Sequence, residues 1–159
     1  MTEQEIVEYV TSHLDGADVL VASKDNGAPE VAWGDLFFFY NPRSDVSADR
    51  RFPFATIVTK DYPGFDTASN LDRAGVFRLN IGVSRETFQQ LFPGFGVGAY
   101  DYTALDTPVP HPVYGRQHWV SLLNPGPNAW PVAEGLLQEA FQRAAASQTR
   151  RAARRERQD

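Results

Sequence analysis

The residues able to do chemistry are few. There is no cysteine, which removes thiolate metal sites, cysteine nucleophiles and disulfides, and leaves histidine, carboxylate and hydroxyl chemistry. His111 and His118 flank a turn, with Asp101 and Asp106 nearby in sequence. The two histidines with one or the other aspartate offer three ligands, but without a metal-binding spacing such as H-E-x-x-H, so no metal is expected. Asp61, Asp66 and Asp72 flank one loop and offer general acid/base groups; turn chemistry accounts for them equally well. Ser84 and Ser121 lie in no G-x-S-x-G elbow. Gly94-Phe95-Gly96-Val97-Gly98 follows a helical pattern and opens no helix, so it lacks the context of a phosphate-cradling loop. No catalytic residue and no cofactor is assigned. Arg150, Arg151, Arg154 and Arg155 fall on one side if the closing helix continues through them. That is a nucleic-acid contact or, more plainly, a cationic helix end complementing its own dipole.

The elements that must position these groups follow from pattern. At 159 residues, 42% hydrophobic and 13% aromatic, the chain supports one ring-rich core. A single α+β domain is expected over residues 1–148, with a basic, flexible tail over 149–159. The tail carries five Arg against Glu156 and Asp159, a net +3; with −5 overall, residues 1–148 hold −8. An acidic body repels phosphate backbones, so nucleic acid is expected only through the tail. The acidic start leads into an amphipathic segment, so no signal peptide is expected. No run approaches the length of a membrane helix, so no membrane partner is expected and cytoplasm is the expected compartment.

Thr2 with Glu5 forms a capping box before Ile6, Tyr9, Val10, His13 and Leu14, a first helix ended by Gly16. Strands are expected at 19–22, through 31–33 and 36–40, at 54–60, at 76–81 and at 118–123. A polar loop spans 41–52. Ser84 caps a short helix, Pro108, Pro110 and Pro112 make 93–112 an extended surface connection, and Asn128 caps a closing helix with Val132, Leu136, Leu137, Ala140, Phe141 and Ala144 on one stripe. The order α-β-β-β-β-α-β-α predicts a two-layer α+β fold, its mostly antiparallel sheet covered by helices on one face.

Several long segments carry a resemblance: Ala28-Pro29-Glu30-Val31-Ala32-Trp33-Gly34-Asp35, residues 51–66 from Arg51-Phe52-Pro53 to Gly64-Phe65-Asp66, Gly75-Val76-Phe77-Arg78-Leu79-Asn80-Ile81, Pro110-His111-Pro112-Val113-Tyr114, and Trp119-Val120-Ser121. They resemble a bacterial family known as domain-of-unknown-function family 6194, over nearly the whole chain to about residue 145. The resemblance implies a fold and no mechanism. From Pro110 through Trp119 into the closing helix the chain is also similar to the YjbR-like proteins, which implies a frataxin-like α+β fold. It departs from that group between Phe92 and Tyr102, where the segment is shortened.

Alternation along 76–81 sends Phe77, Leu79 and Ile81 to one face and Arg78 and Asn80 to the other. The apolar face should meet the helices, leaving Arg78 and Asn80 on an open face flanked by Tyr62, His111 and Tyr114. The reading is a non-enzymatic module binding a small molecule or protein there. Two alternatives stand beside it: a nucleic-acid-associated protein using Arg150, Arg151, Arg154 and Arg155, and a cofactor-independent enzyme with an acid/base pair drawn from Asp61, His111 or His118.

Overall fold

A computed structural model describes residues 1–43 and 52–158. The expected loop over 41–52 falls largely outside them. Helix α1 (Glu3–His13) starts where the Thr2 hydroxyl accepts the Glu5 amide at 3.1 Å. Strands β1 (Ala17–Val21), β2 (Leu36–Tyr40), β3 (Ala55–Val58) and β4 (Arg78–Gly82) follow, then helix α2 (Arg85–Leu91), strands β5 (Pro108–Pro110) and β6 (Trp119–Leu123), and helix α3 (Trp130–Gln158). The six strands among the described residues lie in one antiparallel sheet of order β1-β2-β3-β4-β6-β5. The fold is α+β, with helices packed on the sheet.

The observed order adds one strand to the expected one. The proline segment is an edge strand rather than a free connection: Val109 pairs with Ser121 of β6, and the amides of Asp106 and His111 donate to β6 carbonyls at 2.8 and 2.9 Å. By the two-residue period, Pro108 and Pro110 then face outward, where a proline's missing N–H breaks no ladder bond. Val31 does not begin β2; Glu30–Ala32 form a short 3-10 turn. At the opposite edge, residues 17, 19 and 21 face away from β2. Three of their six outward backbone groups are nonetheless engaged: the Ala17 amide donates to Leu14 O, the Val19 amide to Asp18 Oδ1, and the Val21 carbonyl accepts from Asn26 Nδ2.

The core lies between the sheet and the helices. Ile6 and Val10 of α1, Leu14 just past its end, and Ala133, Leu137 and Ala140 of α3 meet Phe38, Ile57, Leu79, Ile81, Val120 and Leu122 from alternate strand positions. Ser84 caps α2 through the Thr87 amide at 3.1 Å. At the start of α3 the cap comes from elsewhere: Asp106, 20 to 23 residues upstream of its partners, accepts the amides of Gly126, Asn128 and Ala129, and these hold its carboxyl below the usual range. Residues 149–158 continue α3.

Candidate functional site

Alternation along β4 places Arg78 and Asn80 on the sheet face away from the helices, but that face is not open there. Segments 59–75 and 101–118 fold across it, leaving Arg78 0% and Asn80 2% exposed. A guanidinium in that position must find acceptors. Nη1 and Nη2 grip Asp66 at 3.1 and 2.6 Å, Nη1 also reaches Ser69 Oγ at 2.9 Å, and Nε donates to Asn80 Oδ1 at 2.8 Å. Asn80 in turn accepts from Ser121 Oγ at 2.8 Å and donates to Thr56 Oγ1 at 3.0 Å. Arg78 is spent within the protein, tying two loops to three strands.

His111 completes this cluster. Its Nδ1 accepts the amides of Val113 and Tyr114, each at 3.0 Å, which assigns its single proton to Nε2, 3.3 Å from Arg78 Nη2. An imidazolium there would have donors facing donors at both nitrogens. Burial, then the Arg78 charge, push its pKa down to about 3, against the pull of Asp66. Tyr114 packs its ring on His111, 5.0 Å between centroids, and meets Phe65 at 6.1 Å; both outer rings are exposed. Tyr62 gives its hydroxyl to buried Asp35, which also accepts the Thr59 amide at 3.1 Å. Burial raises the Asp35 carboxyl, and burial together with the bond to Asp35 raises the Tyr62 phenol. The five residues expected to bind a ligand therefore do converge on one region, Arg78, Asn80 and His111 as its closed interior and Tyr62 and Tyr114 toward its surface.

The acid/base candidates are dispersed. Asp61 accepts the Leu71 amide at 2.8 Å, His111 sits against Arg78, and the His118 ring lies on Phe88 at 5.6 Å. Among the described residues no three His, Asp or Glu side chains converge as metal ligands.

A concave site opens at one end of the sheet, where β2 ends, β3 begins, β4 ends and β6 begins. Beyond Ala144 α3 adds nothing to the core cluster; its stripe instead walls a groove of about 630 Å³. Ala140, Ala144 and Ala152 keep that wall low, while Arg143, Arg151 and Arg155, with Ser147 between them, stand along it at four-residue steps. Across the groove lie Tyr40, Phe52, His118 and Trp119. Gly82 belongs to this wall: a Cβ there would stand 3.2 Å from the Trp119 ring, so its absence lets the indole lie across β4. Among the described residues, no Asp or Glu lines the groove and the three guanidiniums have no ion pair; Arg151 lies 5.6 Å over the Phe52 ring.

Of the tail arginines, Arg151 and Arg155 line this groove; Arg150 and Arg154 are exposed and do not. Sequence reasoning missed Arg143, Trp119 and Gly82. The signal for Arg143 was present, since Arg143, Ser147, Arg151 and Arg155 form one helical row beside the alanines. The partners across the groove come from distant segments that no spacing links.

The match to the family model of domain-of-unknown-function family 6194, a family of unknown function, spans residues 1–153, and the chain belongs to that family. No similarity to a curated protein or to a solved structure was found. No helix among the described residues is long and apolar enough to cross a membrane.

Proposed function

We propose that this member of family 6194 is a non-enzymatic binding module, and that its ligand is anionic and held in the groove between α3 and the sheet end. One observation carries the reading: a protein with 20 acidic against 15 basic residues has a ligand-sized concavity lined by three arginines that, among the described residues, have neither an ion pair nor an acid beside them. The Arg78 region, expected from sequence to hold the ligand, supports a scaffolding role instead, because its donors are already occupied by Asp66, Ser69 and Asn80. A distant YjbR-like, frataxin-like relationship and a bacterial origin belong to the same proposal, supported by the segment from Pro110 through Trp119. A cytoplasmic setting does too, supported by the cysteine-free composition.

An NMR titration with inorganic pyrophosphate tests the reading. The amides of Gly82, Trp119 and Ser147 should shift together and saturate, and Arg143→Ala/Arg151→Ala/Arg155→Ala should lose the response. Shifts confined to other surfaces would overturn it.

A further inference from the structure

We infer that the occupant of this groove is single-stranded nucleic acid, its successive phosphates following the arginine row of α3 and its bases lying against the aromatic wall. The inference rests on the anionic-ligand reading above and names the class of ligand. Three features meet in one place. The row from Arg143 through Ser147 and Arg151 to Arg155 advances about 6 Å per four-residue step and about 18 Å in all, from the 1.5 Å rise of a helix. A lone phosphate or carboxylate occupies one step; a row that long is filled by a chain of anions.

The facing wall is aromatic and accessible. Trp119 lies flat where Gly82 lacks a Cβ, and Phe52 is 75% exposed beneath the Arg151 guanidinium, which is itself a planar stacking surface. Ring and guanidinium planes take any base, because every base has a π-face. The charge distribution selects one strand over two. Residues 1–148, Arg143 included, carry a net −8, which disfavours the doubled phosphate load of a duplex, while one strand keeps its charge along α3.

The test is fluorescence anisotropy on the full chain, using a labelled oligothymidylate of about fifteen residues, a length set by single-strand site sizes, with thymidine monophosphate and a duplex of equal length as competitors. Three phosphate contacts predict a slope of log affinity against log salt of about −2. The triple variant Arg143→Ala/Arg151→Ala/Arg155→Ala should abolish binding and slope together. Phe52→Ala, at an exposed position that spares folding, and Trp119→Ala should each weaken binding about tenfold and leave the slope unchanged. The inference is overturned if the mononucleotide or the duplex competes as well as the oligonucleotide, or if the oligonucleotide binds the variants unchanged. It also fails if no oligonucleotide binds. The pyrophosphate titration separates the two levels: groove amides that respond to pyrophosphate while oligonucleotides fail leave the anion site standing without this ligand, and unresponsive groove amides remove both.

Discussion

Arg78 and the arginines of α3 are one residue type in opposite circumstances. Arg78 is enclosed, gripped in bidentate fashion by Asp66 and bonded to Ser69 and Asn80. Arg143, Arg151 and Arg155 are exposed along a groove with no carboxylate among its described lining. The difference teaches which cation is available to a partner. A guanidinium satisfied inside the fold specifies how loops lie on a sheet, whereas one left without a counter-charge in a concave surface has its electrostatic energy still to gain.

The sharpest way to break this contrast is to remove each kind of arginine. Replacing Arg78 by Met should strand the Asp66 carboxylate and cost about 3–5 kcal/mol in denaturant unfolding, and making Asp66 apolar as well should recover part of that loss. Stability unchanged within about 0.5 kcal/mol would show that the network does not hold the loops.

Acid should loosen the enclosed region next. The folded state holds the pKa of His111 at about 3, while an unfolded histidine titrates near 6.5. Between these values the unfolded chain binds the extra proton. The contribution of His111 to stability is therefore complete above pH 6.5 and is lost as pH falls toward 3, by up to about 1.4 kcal/mol per pH unit. His111→Asn, whose Oδ1 can accept the Val113 and Tyr114 amides, should flatten this part of the stability profile. Parallel profiles for the two proteins would refute the assignment.

The smallest stability effects belong to the groove. Alanine at Arg143, Arg151 and Arg155 together should leave unfolding free energy within about 0.5 kcal/mol per site while removing anion binding. A larger loss would mean these side chains brace α3. Gly82→Ala should cost no more than about 1 kcal/mol in unfolding, yet lift Trp119 and weaken binding, read as a changed Trp119 indole resonance; an unmoved indole would exclude it as a wall fixed by Gly82.

Local signals in the sequence survived folding because their partners are close in the chain. Thr2 and Ser84 cap their helices, and alternation in β4 put Leu79 and Ile81 into the helical core and Arg78 and Asn80 on the other face. What pattern could not supply was everything crossing long separations. Asn128 looked like the cap of α3, yet Asp106 takes the amides there, since a carboxylate brought from a distant loop satisfies several donors at once. Periodicity says which way Arg78 points and nothing about two loops closing over it. The prolines of β5 excluded a central strand and were silent about an edge. The groove was half legible, as a helical row of arginines, while Gly82 and Trp119 gave no sign of being its other wall.

The two outer strands have a consequence for behaviour at high concentration. With three outward backbone groups of β1 engaged by Leu14, Asp18 and Asn26, and two outward positions of β5 occupied by proline, the row of free backbone donors and acceptors that templates strand addition is interrupted at both ends. The sheet is a finite object. Crowded or concentrated protein should resist growth into cross-β fibres from the native state, and any self-association must proceed through side-chain surfaces instead.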